Sequence, residues 1–130
     1  MRRGFTLLEL IVVVIILGIL ATLGFSQYVK MVEKGRTAES KAILGQLRSA
    51  NAAYFQERGA YATNIADLAI DAPTTACQVT HYFSYTMGGT SVGTAIRCNV
   101  AAGGKTPSAT NSYNVTLTAA GVWGGTAGYY

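Results

Sequence analysis

The most apolar stretch of this 130-residue chain lies near its start, where residues 10–25 contain no charged side chain. A helix rises about 1.5 Å per residue, so residues 5–25 would form a helix roughly 30 Å long. That length matches the thickness of the hydrocarbon core of a bilayer. The pattern therefore predicts a membrane-spanning helix.

The next stretch is amphipathic. Residues 27–58 contain no proline, and apolar side chains recur among polar ones at helical spacing. These apolar positions are Val29, Val32, Ile43, Leu47, Ala50 and Tyr54. Gly59 suits a left-handed C-cap, and Arg58 lies where a cation favours the last turn. We expect one continuous helix that ends at Arg58.

Beyond Gly59 the pattern predicts a short capped helix followed by a sheet. Asn64 is a good N-cap for a short helix that extends to about Ala69. Alternation with period two then predicts a strand from Val79 to Met87 and a second from Val92 to Val100. The sequence between them, Gly88-Gly89-Thr90-Ser91, predicts a hairpin turn.

Two further strands are expected after a loop rich in glycine and small residues. Tyr113, Val115 and Leu117 share one face of a third strand, and a short edge strand is expected around residues 121–123. The apolar face of such a sheet has to be covered, and the second half of the long helix is the surface available. The predicted fold is α+β, with a long N-terminal helix packed on a small antiparallel sheet head.

Composition indicates a single head domain and no charge-driven partner. The net charge is +4, and removal of Arg2 and Arg3 lowers ten basic residues to eight against six acidic ones, or +2. This is too small an excess to indicate nucleic-acid binding. No aspartate or glutamate follows Asp71, so the sheet region is polar mainly through Thr, Ser, Asn and Gly.

Few residues could support catalysis. His81 is the single histidine, and Cys77 and Cys98 lack the close spacing of zinc or redox motifs, so a structural disulfide is the better interpretation. Gly103-Gly104-Lys105-Thr106 lacks the first glycine of a phosphate-binding loop. We predict no enzyme activity, no metal site and no cofactor.

One acidic residue stands out within the apolar region. Glu9 lies four positions into it, where an ionised carboxylate costs at least about 2.5–3.5 kcal/mol on insertion scales. Two arginines precede Gly4, as in a secretory signal, but the apolar run is too long and no small-x-small cleavage site follows. An ordinary signal peptide is therefore not indicated, and Glu9 needs either hydration at the headgroups or a partner.

The stretch Arg2-Arg3-Gly4-Phe5-Thr6-Leu7-Leu8-Glu9 resembles the class III leader of type IV pilins and type II secretion pseudopilins. The resemblance implies that a prepilin peptidase cleaves after Gly4, that Phe5 becomes N-methylated, and that Glu9 acts in assembly. It divides the chain into a leader (1–4), an assembly segment (5–25), an amphipathic helix (26–58) and a head (59–130). Many members have a proline where this chain has Ser26. Because this chain lacks that proline, the helix unwinding seen in those members does not carry over to it.

Within this family, a pilus subunit is the favoured interpretation. It implies a helical homopolymer, an inner-membrane precursor, a bacterial pilus assembly machinery and finally an extracellular filament. The alternatives are a type II secretion pseudopilin and a membrane-tethered binding module. Major pseudopilins bind calcium through acidic C-terminal loops, whereas this chain has no acidic residue after Asp71.

Overall fold

A computed structural model describes residues 4–74, 76–88 and 91–130. The predicted leader residues Arg2 and Arg3, and Gly89 and Thr90 of the predicted turn, lie outside the described residues. The elements are α1 (Leu7–Arg58), a 3₁₀ helix (Ile65–Leu68), and strands β1 (Phe83–Gly88), β2 (Ser91–Arg97), β3 (Asn114–Thr118) and β4 (Trp123–Gly125). The chain forms two compact units, Met1–Glu33 and Lys34–Tyr130, and α1 contributes to both.

The N-terminal unit, Met1–Glu33, is built from the first half of α1. Its large apolar side chains from Phe5 to Phe25 are all exposed. The helix continues through Gly24 and Ser26, and the Ser26 hydroxyl donates to the carbonyl of Leu23 at 3.1 Å. Ser26 keeps a backbone N–H that proline would lack, which removes the usual cause of a break.

In the C-terminal unit, Lys34–Tyr130, α1 buries one stripe. Its members lie three or four residues apart, at Thr37, Ser40, Leu44, Leu47 and Asn51. The Thr37 and Ser40 hydroxyls donate to helix carbonyls three residues earlier, at 2.7 and 2.8 Å. The hydroxyl groups of these short side chains therefore have hydrogen-bond partners within α1. Because the side chains are small, they leave room for close packing.

The end of α1 and the short helix agree with the sequence. The helix ends at Arg58, as predicted, and Gly59 follows with a φ of 72°. Asn64 caps the next helix by accepting a hydrogen bond from the Ala66 N–H at 3.1 Å. Between them, the buried Asn51 Oδ1 accepts from the Ala62 N–H at 2.8 Å, which holds the returning chain against α1.

The sheet is an antiparallel meander in the order β1-β2-β3-β4. The first strand begins at Phe83, so the prediction that it starts at Val79 was wrong. Val79 is 80% exposed, and the His81 N–H donates to the Gln78 carbonyl in a turn. The fourth strand lies two residues later than expected.

The second strand turns a different face inward from the one its apolar residues suggested. A bulge between Ser91 and Gly93 shifts the register, so that Ala95 and Arg97 are buried while Ile96 is exposed. An added Cβ at Gly93 would lie 2.8 Å from Leu44 Cδ2. Glycine at this position thus allows the sheet to approach α1.

The core lies between the C-terminal half of α1 and the sheet. Its fully buried members include Leu44 and Leu47 from the helix and Phe83, Tyr85 and Val115 from the strands. Tyr113 packs edge-on against Phe83 and stacks on Tyr129. The structure confirms the α+β class and the long helix packed on a small antiparallel sheet.

Candidate functional site

Gly4 and Phe5 lie just before α1 and outside any regular element. Both are exposed, and the Phe5 side chain is 83% exposed. A peptide bond in exposed, non-helical backbone is the kind that a protease can reach without first unfolding a helix. The predicted cleavage position is therefore accessible in the precursor.

Glu9 accepts two hydrogen bonds within the first turn of α1. Its Oε2 accepts from the Thr6 N–H at 3.0 Å and from the Thr6 hydroxyl at 2.9 Å. In return, the Glu9 N–H donates to Thr6 Oγ1 at 3.3 Å. Thr6 and Glu9 thus form a capping box, in which each side chain satisfies a backbone donor of the other residue.

The capping box gives Glu9 a local partner that the sequence analysis missed. The signal was readable, because Thr6-Leu7-Leu8-Glu9 has the form Ser/Thr-x-x-Glu before an apolar run. A carboxylate at a helix N-terminus also faces the positive end of the helix dipole. Because the box lies after the Gly4–Phe5 bond, cleavage there would leave it intact.

Apart from Thr6, the helix surface next to Glu9 is apolar and exposed in the described part of the chain. Leu8, Leu10 and Val13 are each about half exposed or more. In the part of the chain that the structure describes, α1 is the one helix long and apolar enough to cross a membrane. The capped carboxylate therefore lies in a surface that needs either lipid or other helices around it.

The Cys77–Cys98 disulfide is present, as predicted, with the two Cα atoms 5.8 Å apart. The bond does not join two residues that face each other across the β1–β2 hairpin. The register pairs Phe83 with Arg97, which places Tyr82 opposite Cys98. Cys77 lies five residues earlier in a loop, and this loop folds back to reach Cys98.

A buried arginine organises the chain beside the disulfide. Arg97 is fully buried, and its guanidinium donates to the carbonyls of Tyr82 and Cys98 at 3.0 Å and of Pro107 at 2.9 Å. It also lies 5.0 Å from the centre of the Tyr82 ring. No sequence pattern indicated this role, because a charged residue in a strand ordinarily points to water.

Residues 4–74, 76–88 and 91–130 contain no cluster of metal-ligating side chains. No three His, Cys, Asp or Glu side chains there come together in a way that could hold a metal ion. His81 instead lies beside the Thr80 hydroxyl, at 2.8 Å from its Nδ1.

Residues 1–25 match the model of the prokaryotic N-terminal methylation motif. This match supports the resemblance of the leader to that of type IV pilins. Over 60 residues it is 38% identical to the type IV major pilin protein PilA of Myxococcus xanthus (strain DK1622). That match covers 46% of this chain and 27% of the Myxococcus pilin, and no solved structure matches the chain significantly.

Proposed function

We propose that the chain is a structural subunit of a type IV pilus that polymerises through the apolar part of α1. Cleavage between Gly4 and Phe5 and N-methylation of Phe5 precede assembly. The observation that carries the proposal is the uncovered apolar helix surface that surrounds the capped Glu9. The methylation motif at residues 1–25 supports both modifications.

The exposed surface of the N-terminal unit supports polymerisation. In a bilayer this surface is covered by lipid, whereas outside the membrane it would contact water at a cost of about 25 cal/mol per Å². A contiguous apolar surface that runs along the helix from Phe5 to Phe25 marks an interaction site on a folded protein. Other copies of the same helix would cover it, so their apolar contacts provide the cohesion of the filament.

Processing creates the charge that Glu9 needs. In the precursor the Phe5 nitrogen is an uncharged amide, and cleavage after Gly4 converts it to an amine. Both hydrogen bonds from Thr6 reach Oε2 of Glu9, so the Oε1 atom keeps its lone pairs for a further donor. The Phe5 amine of an incoming subunit is a cation that could pair with this oxygen, which would neutralise both charges and set the axial register.

This proposal assigns the partners and the location of the chain. The precursor resides in the bacterial inner membrane, where it meets a prepilin peptidase and the pilus assembly machinery. The mature subunit joins a homopolymer at the cell surface. The role is structural, with no enzyme activity, no cofactor and no nucleic-acid binding by the subunit itself.

Two substitutions at Glu9 separate its two roles. Glu9→Gln retains an acceptor that suits the capping box but removes the charge, whereas Glu9→Leu removes both. We expect each variant to be inserted and cleaved normally and to reduce the filament yield at least tenfold. The measurement compares processed subunit in membranes with subunit in sheared filaments, expressed with the cognate machinery.

The pair of variants has a clear failing result. If Glu9→Gln gave wild-type filament amounts while Glu9→Leu did not, the capping box and not the charge would explain the requirement. Normal filaments from Glu9→Leu would contradict both roles. Thr6→Val serves as a control, because it removes the hydroxyl of the box and keeps the carboxylate.

The pseudopilin alternative predicts a different response to calcium. Calcium takes six to eight oxygen ligands, usually including carboxylates, and no aspartate or glutamate follows Asp71. We therefore expect a chelator to leave the thermal unfolding of the purified protein unchanged. A decrease of several degrees in the melting temperature would favour the pseudopilin.

A further inference from the structure

An open groove of about 340 Å³ lies between α1 and the edge of the sheet in the C-terminal unit. Arg48, Asn51, Tyr61 and Trp123 contribute side chains to it, and Gly45 and Gly121 line it without any. Its volume is at the lower end of the range for small-molecule sites, which combine aromatic side chains with a few polar groups. The groove is therefore a candidate site for a small ligand.

The aromatic side chains of the groove are unusually exposed. Tyr61 is 56% and Trp123 is 38% exposed. Phe55 stacks on Tyr61 with the ring centroids 4.4 Å apart, so one face of the Tyr61 ring is covered and its orientation is held. Rigid aromatic rings with accessible surface suit the apolar C–H face of a sugar ring.

Polar donors lie beside these rings. Arg48 Nε donates to the Ala119 carbonyl at 3.2 Å, which orients the guanidinium against Gly121. Among the described residues this is the hydrogen bond shown for Arg48, so its other N–H groups remain for a ligand. Asn51 uses its Oδ1 on the Ala62 N–H, and its amide N–H groups are donors as well.

The charge around the groove is positive. Lys41 Nζ lies 5.9 Å from the centre of the Trp123 ring, Arg48 lines the groove, and none of the lining residues is acidic. A guanidinium held at one edge binds a carboxylate through two parallel hydrogen bonds. The complementary ligand is thus negatively charged, planar at its acidic group and flat enough to lie on an aromatic ring.

We propose that this groove binds an acidic saccharide, with a uronic-acid carboxylate on Arg48 and a sugar ring on the aromatic side chains. The hydroxyl groups of the sugar would meet the donors of Asn51. This binding site goes beyond the structural role, and it does not depend on polymerisation. It would allow an assembled filament or a single subunit to attach to an acidic polysaccharide.

Trp123 is the single tryptophan of the chain, so its fluorescence reports on the groove directly. The full chain in detergent micelles is titrated with a galacturonic-acid trisaccharide and with a neutral galactose trisaccharide. We expect a saturable change with the acidic sugar and at least tenfold weaker binding of the neutral one. Equal binding of the two sugars, or no saturation, would overturn the proposal.

Three variants locate the site. Arg48→Gln should weaken binding at least tenfold, whereas Arg58→Gln, which makes the same charge change on the same helix, should change it less than twofold. Gly45→Leu removes no hydrogen bond, and a Cβ at Gly45 meets no atom within 4 Å, so its side chain can fill the groove without disturbing the fold. It should abolish binding while thermal unfolding stays as in the wild type.

Three other results would count against the site. Equal losses in Arg48→Gln and Arg58→Gln would show attraction to the overall charge and not to the groove. Competition by acetate at the same concentration as the trisaccharide would show a simple anion site without sugar recognition. Undiminished binding by the folded Gly45→Leu variant would place the sugar elsewhere.

Discussion

The two units of the chain differ in whether they bury their apolar side chains. The N-terminal unit, Met1–Glu33, leaves its large apolar side chains from Phe5 to Phe25 exposed, and its Thr6–Glu9 capping box is local to a single turn. The C-terminal unit, Lys34–Tyr130, buries a continuous core, a disulfide and a charged arginine. The first unit is therefore incomplete without lipid or other helices, whereas the second is complete by itself.

This difference predicts that substitutions in the two units have separable effects. Changes in the core of the C-terminal unit should alter its free energy of unfolding and leave membrane insertion and leader cleavage intact. Changes at Glu9 should alter filament assembly and leave that free energy unchanged. The predictions below test this separation, starting with the largest expected effect.

Arg97→Met should destabilise the C-terminal unit by about 3–5 kcal/mol. The substitution removes three hydrogen bonds from a charged donor, and such bonds typically contribute about 1.5–3 kcal/mol each, although the Tyr82 and Cys98 carbonyls keep backbone donors. Chemical denaturation of the purified variant measures the loss. Arg58→Met is the control, since Arg58 is exposed and should cost less than about 1 kcal/mol.

Removal of the disulfide should cost about 3 kcal/mol. The bond closes a loop with a sequence separation of 21, and loop closure of this length stabilises by about that amount through the unfolded state. Cys77→Ser together with Cys98→Ser should lower the denaturation midpoint accordingly, while cleavage of the leader is unaffected. An unchanged midpoint would show that the bond contributes nothing to the stability of the unit.

Gly93→Ala should destabilise by about 1–2 kcal/mol. The new Cβ would lie 2.8 Å from Leu44 Cδ2 and 3.5 Å from Leu47 Cδ1, both in the closely packed core. Gly45→Ala adds the same atom where nothing lies within 4 Å, and it should instead stabilise α1 by up to about 1 kcal/mol. Thermal unfolding of the two variants should therefore shift in opposite directions.

Tyr85→Phe has the smallest expected effect, a gain of about 1 kcal/mol. The buried Tyr85 hydroxyl has no hydrogen-bond partner among the described residues, so its removal relieves a desolvation cost. Burial, and then the charge of Glu39, raise the pKa of Tyr85, so the folded hydroxyl stays protonated while an unfolded tyrosine ionises near pH 10.

The sign of the pH dependence follows from that raised pKa. The stability of the wild type does not depend on Tyr85 ionisation below about pH 10. As the pH rises further, the unfolded state releases the tyrosine proton while the folded state keeps it, so the free energy of unfolding decreases. Tyr85→Phe should lose less stability between neutral and alkaline pH. Identical pH profiles of the two proteins would contradict the assignment of Tyr85 as an un-ionised buried hydroxyl.

Local patterns predicted what depends on local physics. The helix end at Gly59, the Asn64 cap and the inward face of β3 follow from backbone preference and period two, and all three are present. The inward face of β2 was unpredictable from alternation, because the bulge at Ser91 and Gly93 is set by pairing with β3. The burial of Arg97 depends on the carbonyls of Tyr82 and Pro107, which lie 15 and 10 residues away and which no short pattern contains.

The candidate site divides in the same manner. The roles of Gly4, Phe5 and Glu9 come from one short motif and stay predictions, whereas the Thr6 cap is present and could have been predicted from the spacing of Thr6 and Glu9. The disulfide was predicted from elimination of other cysteine roles, but the loop that brings Cys77 to Cys98 was not. The groove at Arg48 and Trp123 joins positions far apart in sequence, so only the fold reveals it.

The most direct test of the central claim is the intact mass of the main subunit in sheared surface filaments. We expect a chain that begins at Phe5, carries one methyl group on its amine and, because of the disulfide, is two hydrogens lighter than the reduced form. A subunit that still carried Met1 and an unmodified Phe5 would contradict it.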